Sequence, residues 1–200
     1  MIRTPLAVVP YLLAVAAVVG GLLWHEGDLV AGLGQSTTSG LATVGGPFRL
    51  IDQMGRVRSD ADFRGQYLLV YFGYSECPDV CPTTLGVMAD ALDKLGGKKG
   101  RIVPVFITID PERDTPKVLK DYMKSFGPEF VALTGSLDAI KAVAKDYRVY
   151  FAKHALPGGG YSLDHSSVIY LIGPDGKFVT YYDDESIGPD ALAADLKKRI

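Results

Sequence analysis

The strongest constraint on the fold of this chain is a buried strand, a short loop with two cysteines and an amphipathic helix in direct succession. Residues 67–72 read Tyr-Leu-Leu-Val-Tyr-Phe, a continuous apolar run that is typical of a strand buried on both faces. After Cys81, apolar residues recur at helical spacing until Gly96 and Gly97 end the helix. Cys77 and Cys81 therefore lie at a strand-to-helix junction, where α/β folds usually build a site.

Further strands and helices alternate along the rest of the chain. The predicted strands are residues 48–51, 57–58, 67–72, 102–109, 130–133, 167–172 and 178–182, and the predicted helices begin after Cys81, at Pro116, after Ser136 and at Pro189. Parallel strands need helical crossovers, and both faces of the resulting sheet must be covered. We therefore expect an α/β fold with a central mixed sheet flanked by helices.

Length and charge limit the classes of function. Two hundred residues suit one domain with an appendage. The formal net charge is −2, so there is no excess of positive charge to bind a phosphate backbone. A nucleic-acid partner is therefore not expected.

The appendage is an uncharged apolar segment near the N-terminus. Leu6–Trp24 spans 19 residues, about the length that crosses roughly 30 Å of hydrocarbon. Arg3 precedes it and no lysine or arginine follows before Arg49, so the positive-inside rule puts the N-terminus in the cytoplasm and the domain outside. The alternative is a cleaved signal peptide, but the apolar run is longer than usual for one, and no small-residue cleavage site directly follows it.

These features divide the chain into four predicted segments. They are a short cytoplasmic N-terminus at residues 1–5, a single transmembrane anchor at 6–24, a flexible tether at 25–46 and a folded domain at 47–200. The tether is predicted from its glycine, serine and threonine content. Both cysteines would then lie in a compartment where disulfides can persist.

Cys77 and Cys81 are the only cysteines in the chain. At positions i and i+4 they share one face of a helix, and a helix N-terminus favours thiolate over thiol. Two thiolates favour Cu(I) and also suit Zn(II), although two ligands do not complete a zinc site. A structural disulfide is a weak alternative, because a ring with three intervening residues removes little chain entropy. The serious alternative is redox exchange, for which we expect an exposed pair of low pKa.

A third ligand is sought among the three histidines, His25, His154 and His165. His25 adjoins the apolar segment and His154 lies in a predicted loop. His165 precedes a predicted inner strand and would approach the cysteines if that strand neighbours residues 67–72. Two thiolates and an imidazole would suit Cu(I), and also Cu(II) with an added oxygen ligand. The alternative role for a histidine at a strand end is capping or hydrogen bonding.

Two further segments are expected near the same edge of the sheet. Asp110, Arg113 and Asp114 follow a predicted strand and could either begin a capped helix or support the site or a partner. Residues 153–162 contain three glycines and are predicted to be a mobile loop. Such a loop could carry His165 toward and away from the cysteines.

Three segments of the chain together resemble the SCO/SenC family. They are residues 72–82 (Phe-Gly-Tyr-Ser-Glu-Cys-Pro-Asp-Val-Cys-Pro), residues 108–116 (Thr-Ile-Asp-Pro-Glu-Arg-Asp-Thr-Pro), and Asp164-His165-Ser166 before an apolar strand. The similarity covers roughly residues 45–200. It implies a thioredoxin-like fold, copper bound by Cys77, Cys81 and His165, and a role in assembling the CuA centre of cytochrome c oxidase.

Three functions follow as hypotheses. The first is a membrane-anchored copper metallochaperone that serves the copper-bearing subunit of an oxidase, with another periplasmic copper chaperone as a further partner. The second is a thiol–disulfide oxidoreductase that uses Cys77 and Cys81 to reduce the cysteines of the oxidase copper site. The third is a peroxidase, because peroxiredoxins share the thioredoxin fold. The expected location is a bacterial cytoplasmic membrane with the domain on its periplasmic side, in preference to the mitochondrial inner membrane.

Overall fold

The computed structural model describes residues 44–183 and 186–200, and within them strands and helices alternate much as the sequence predicts. The strands are β1 (Arg49–Asp52), β2 (Val57–Ser59), β3 (Tyr67–Gly73), β4 (Ile102–Thr108), β5 (Val131–Thr134), β6 (Phe151–Ala155), β7 (Tyr161–His165), β8 (Val168–Ile172) and β9 (Phe178–Asp183). The α-helices are α1 (Val80–Asp93), α2 (Pro116–Met123), α3 (Leu137–Asp146) and α4 (Pro189–Arg199), and short 3₁₀ helices span Asp60–Phe63 and Gly96–Arg101.

Seven of these strands form one mixed sheet in the order β2-β1-β5-β4-β3-β8-β9. Strands β3, β4 and β5 are parallel, and α1 and α2 make the crossovers between them. Strand β8 is antiparallel to both β3 and β9, and β1 is antiparallel to β5. The predicted α/β fold with a central mixed sheet flanked by helices is confirmed.

The core lies against both faces of the central strands. Residues 69–72 of β3 are fully buried, as are Val105, Phe106 and Ile107 of β4. Leu85, Met88 and Leu92 of α1 are also fully buried, at the helical spacing that the sequence predicted. Because helices cover both faces, the inner strands are continuously apolar and do not alternate.

The segment before β8 differs from the prediction. Residues 153–162 were expected to form a loop, but β6 and β7 pair in an antiparallel hairpin that forms a separate two-stranded sheet. Only residues 156–160 connect the two strands, and Gly158, Gly159 and Gly160 all have positive φ angles there. The prediction failed because glycine and polar residues outweighed the alternation of Tyr161, Leu163 and His165 with Ser162 and Asp164, which is a strand pattern.

The predicted anchor, Leu6–Trp24, lies outside the described residues, as does most of the predicted tether. Among the residues that the structure describes, no helix is long and apolar enough to span a membrane. The end of the predicted tether contacts the domain, since the backbone N–H of Gly45 donates to the carbonyl of Asp146 at 2.9 Å.

Candidate metal centre

The two cysteines lie where β3 passes into α1. Cys77 is in the connecting loop, and its backbone N–H donates to the carbonyl of Tyr74 at 3.2 Å. Cys81 is the second residue of α1, so its backbone N–H is one of those left without a partner inside the helix. This N–H donates to Cys77 Sγ at 3.4 Å. The start of the helix therefore stabilises negative charge on the Cys77 sulfur.

The burial of the pair differs from the prediction. We expected exposed thiols, but Cys77 is 8% exposed and Cys81 is fully buried. Both are free cysteines. The prediction was wrong because the first turn of α1 packs back onto the end of β3, and local sequence does not specify that contact. The pair is open to solvent through Cys77, which lines a groove of about 470 Å³ together with Tyr74, Asp79 and His165.

Hydrogen bonding within the pair gives the two thiols opposite pKa shifts. The Cys81 side chain is the main cause that lowers the pKa of Cys77 to about 4, and His165 and the backbone of Asp79 and Cys81 add to it against the effect of burial. The pKa of Cys81 is raised well above its usual value by the hydrogen bond to Cys77 and by burial. At neutral pH the pair is therefore a Cys77 thiolate that accepts a hydrogen bond from a Cys81 thiol.

His165 lies at the end of β7 and faces the two sulfurs. Its Nε2 is 3.3 Å from Cys81 Sγ, and its Nδ1 is 3.0 Å from the carbonyl oxygen of Ser166. Because a carbonyl can only accept, Nδ1 donates to Ser166, and Nε2 is the ring nitrogen that faces the sulfurs. Rings of Tyr71 and Tyr74 contact the imidazole edge-on, each with centroids 6.2 Å from it.

The structure brings together the three residues that the sequence singled out as ligands. The ligand atoms of Cys77, Cys81 and His165 all lie within 4.8 Å of one another. The sequence analysis required the strand after His165 to be a neighbour of residues 67–72. That strand, β8, is the direct neighbour of β3 and pairs Ile169 with Tyr71, so the requirement is met. Two sulfurs and one imidazole nitrogen form a set of donors that suits a soft ion.

The other two histidines do not join this group. His154 lies in β6, is more than half exposed, and has Nε2 2.9 Å from a carboxylate oxygen of Asp164. The predicted loop position of His154 is thus corrected to a strand. His25 lies outside the described residues.

Asp114 supports the cysteine loop and does not cap the helix. Thr115 is the N-cap of α2, and its side chain accepts from the N–H of Val118. The fully buried carboxylate of Asp114 accepts from Ser75 N at 3.1 Å, from Thr108 Oγ1 at 2.6 Å and from the Ser75 hydroxyl. Burial raises the pKa of Asp114 despite these bonds. Asp114 therefore links the end of β4 to the loop that carries Cys77.

Gly73 is a site residue that the sequence analysis did not identify. A Cβ at this position would lie 2.7 Å from Cys81 Sγ and 3.1 Å from the Phe106 ring. Residue 73 must therefore lack a side chain for Cys81 to pack against the end of β3. A glycine at the end of a strand beside the cysteine motif was the available signal, because glycine in a strand often marks close approach.

We expect Gly73→Ala to destabilise the domain by about 1–3 kcal/mol, the usual cost of overpacking a core. It should also displace the Cys81 sulfur and weaken metal binding. Gly86→Ala in α1 is the matched control, because its added Cβ would have no atom within 4 Å beyond the adjacent residues and the backbone of its own helix. Chemical denaturation and metal titration of both variants would measure the effects. Equal stability of Gly73→Ala and the unmodified protein would contradict the packing argument.

Comparison with known proteins identifies the family. The family model described as SCO1/SenC matches residues 36–200. The chain belongs to the SCO1/SenC family. A relative in this family, the mitochondrial SCO1 homolog 1 of Arabidopsis thaliana, is 42% identical over 167 residues, which cover 83% of this chain and 50% of that protein. The chain thus spans about half the length of that relative.

Solved structures of SCO1/SenC proteins share the fold. The structure of Bradyrhizobium japonicum ScoI with copper bound is 41% identical, covers 78% of this chain and 99% of that one, and has a TM-score of 0.73. BsSco, a member of the Sco family of cytochrome c oxidase assembly proteins for which a disulfide switch was identified, is 28% identical over 78% of this chain and 93% of that one, with a TM-score of 0.62. The fold of the described domain is therefore that of the Sco structures.

Three residues near the site make contacts that the sequence analysis did not predict. Arg113 donates to the carboxylate of Glu76 in the cysteine loop and to the carbonyl of Tyr161 in the hairpin, and Lys153 of the hairpin donates to Glu112. The signal for Tyr161 was its spacing, because Tyr161, Leu163 and His165 lie at i, i+2 and i+4 and so share one face of a strand. No local pattern indicated Glu76 or Lys153.

Proposed function

We propose that this protein binds one copper ion as cargo through Cys77, Cys81 and His165. The observation that carries the proposal is the convergence of two sulfurs and one imidazole nitrogen within 4.8 Å, in a domain that folds like copper-bound ScoI. Thiolate and imidazole ligands favour Cu(I) over harder ions, and an added oxygen ligand would adapt the site to Cu(II). The groove beside Cys77 offers an exit for the ion.

The acceptor that we propose is the copper-bearing subunit of cytochrome c oxidase, whose CuA centre this protein would help to assemble. Support comes from membership of the SCO1/SenC family and from BsSco, a cytochrome c oxidase assembly protein of similar fold. A second periplasmic copper chaperone is the proposed donor. A site with two sulfur ligands and an open groove can pass Cu(I) to a sulfur-containing acceptor by successive ligand replacement.

We further propose that residues 6–24 anchor the protein in a bacterial cytoplasmic membrane and that residues 25–46 tether the domain, residues 47–200, on the periplasmic side. The support is the uncharged run of 19 residues after Arg3 and the lack of further lysine or arginine until Arg49. Fractionation checks this: the intact N-terminus should be found with the membranes. A mature chain that starts near residue 30 in the soluble fraction would contradict the anchor.

Thiol–disulfide exchange is a second candidate function. The low pKa of Cys77 favours it, because the pair is then a reactive thiolate beside a thiol that can resolve a mixed disulfide. The acceptor would be a disulfide in the copper site of the oxidase, which would be reduced while Cys77 and Cys81 become a disulfide. Copper transfer and reduction are not exclusive in principle, but only copper transfer requires His165.

Replacement of His165 with alanine tests which function dominates. We expect His165→Ala to weaken Cu(I) binding by more than about 100-fold, since loss of a group that merely hydrogen-bonds a ligand already costs roughly 10- to 100-fold. Oxidase assembly should fail with it, whereas reduction of a disulfide substrate should largely persist. Competition with a Cu(I) chelator and a thiol assay measure the two activities, and His154→Ala is the control. Unchanged copper affinity and intact oxidase assembly, together with retained reductase activity, would favour the second function.

A further inference from the structure

The hairpin that carries His165 is held to the cysteine loop by a cluster of charged and aromatic side chains. We call this cluster the hairpin clamp, and it consists of Asp110, Glu112 and Arg113 from the loop between β4 and α2, with Lys153 and Tyr161 from the hairpin. None of these residues provides a candidate ligand atom. Tyr161 is four residues before His165 on the same face of β7.

Arg113 is the centre of the clamp. Its Nη1 donates to the carbonyl of Tyr161 at 3.2 Å and to the carboxylate of Glu76, the residue before Cys77, at 2.8 Å. Its Nε donates to the carboxylate of Asp110, which is 3% exposed. The guanidinium also lies 3.9 Å from the ring centroid of Tyr161 and 5.5 Å from that of Tyr74. One side chain thus contacts the hairpin, the cysteine loop and the end of β4.

Tyr161 and Lys153 complete the attachment from the hairpin. The Tyr161 hydroxyl donates to Asp110 at 2.9 Å. Lys153 Nζ lies 2.8 Å from a carboxylate oxygen of Glu112 and 3.7 Å from the Tyr161 ring centroid. The Tyr161 ring is therefore enclosed by two cations, and its hydroxyl is fixed to a buried carboxylate.

Outside the clamp, the Leu163 side chain packs into the core, but few hydrogen bonds join the hairpin to the rest of the described domain. Within the described residues, no strand of the seven-stranded sheet pairs with β6 or β7. Bonds between Tyr150 and Ser166 fasten the base of the hairpin. At its middle, Leu163 N donates to the Tyr74 hydroxyl at 3.4 Å, which is a long hydrogen bond. The clamp is therefore the main polar attachment that can set the distance between the imidazole and the two sulfurs.

We infer that Arg113 and Tyr161 are positioning residues that hold His165 Nε2 against the cysteine pair and so set the affinity for Cu(I). The inference rests on the proposed copper site. Its reason is preorganisation: a ligand that is held in place loses less freedom when the ion binds. Loss of the clamp would leave both cysteines in place but would let the imidazole move with the hairpin.

The test is a double-mutant cycle on Cu(I) affinity, measured on the full chain in detergent by competition with a Cu(I) chelator. We expect Arg113→Lys to weaken Cu(I) binding about 10- to 100-fold. A lysine ammonium lacks the planar guanidinium group and cannot contact all three partners of Arg113. Tyr161→Phe retains the ring and removes only the hydroxyl, so a smaller loss is expected. In a His165→Ala background both substitutions should have no further effect, because no imidazole remains to be positioned.

The control variants separate the positioning of His165 from general effects of substitution on the stability of the domain. Arg58→Lys is matched to Arg113→Lys, because Arg58 lies 4.6 Å from the Phe63 ring centroid and contacts the carboxylates of Asp52 and Asp62 away from the site. Tyr181→Phe is the exposed match for Tyr161→Phe. Neither should change Cu(I) affinity. X-ray absorption of the copper-loaded Arg113→Lys protein should show a weakened nitrogen contribution beside unchanged sulfur scattering.

Each outcome has one interpretation. Equal losses with and without His165 would overturn the inference, because the clamp would then act through the cysteine loop or the fold. No loss from either clamp variant while His165→Ala still weakens binding would also overturn it and leave the proposed function intact. If His165→Ala itself has no effect, the proposed ligand set fails, and the clamp inference fails with it.

Discussion

Serine in place of Cys77 or Cys81 is expected to remove tight Cu(I) binding, with a loss of more than about 100-fold for either variant. A serine hydroxyl is not ionised at neutral pH and is a hard donor, so one thiolate and one imidazole would remain for a soft ion. The expected loss exceeds that for His165→Ala, because thiolate sulfur is the preferred donor for Cu(I). Stoichiometry and affinity from anaerobic titration of the reduced protein check the prediction.

The two serine variants should differ in stability although both lose copper. Cys81 is fully buried against Gly73, so a hydroxyl there needs a hydrogen-bond partner in an apolar setting, whereas Cys77 lines the groove. Ala91→Ser is the matched control, because it places a hydroxyl at another fully buried position of α1 away from the sulfurs. That control should retain full copper affinity. Retention of one tightly bound Cu(I) by both cysteine variants would refute the site.

Oxidation of the cysteine pair is expected to abolish Cu(I) binding entirely. The two sulfurs cannot form a disulfide and act as two thiolate ligands at the same time. Oxidation of the Cys77 thiolate and the Cys81 thiol to a disulfide passes two electrons to the oxidant and releases one proton, and it leaves His165 as the only remaining ligand of the three. Conversely, bound copper should protect both thiols from alkylation and from oxidation. Full-affinity binding to the disulfide form would place the copper site elsewhere and would favour a redox role for the cysteines.

The opposite pKa shifts of the two thiols predict how the reactivity of Cys77 and the affinity for Cu(I) depend on pH. Because the pKa of Cys77 is about 4, its alkylation rate in the apo protein should change little between about pH 8 and pH 5. The pKa of Cys81 is raised, so its proton must leave when copper binds, and affinity should rise about tenfold per pH unit around neutrality. Alkylation mapped by mass spectrometry and affinity at several pH values test both points. A Cys77 alkylation rate that falls steadily below pH 8 would contradict the assigned pKa.

The burial of the pair also changes what is expected of its disulfide. An exposed pair in a short ring would be reduced readily by any thiol, but here only Cys77 borders the groove. A reductant must therefore attack the Cys77 sulfur, and Cys81 leaves as a thiolate that takes up a proton, because its pKa is raised. The choice of Cys77 as the attacked sulfur follows from the packing of Cys81 and is the same for a thiol of a partner protein or a small reductant.

Local sequence patterns were sufficient to predict the strands and helices and the position of the cysteines between them. The continuous apolar run at residues 67–72 is typical of an inner strand, and the spacing of Leu85, Met88 and Leu92 is typical of a helix with one buried face. These patterns arise from the periodicity of the backbone, which relates residues that are only a few positions apart in the chain. The cysteines at i and i+4 were therefore assigned to a helix start before any contact was known.

The tertiary structure decided what lies around those cysteines. His165 reaches Cys81 only because β8 pairs with β3, a contact between residues about a hundred positions apart that no local period encodes. The burial of Cys81, the close approach at Gly73 and the clamp through Arg113 likewise depend on how distant segments pack. Local sequence specifies which conformation each segment prefers, whereas burial and side-chain hydrogen bonds are set by partners from elsewhere in the chain, so only the folded structure could reveal them.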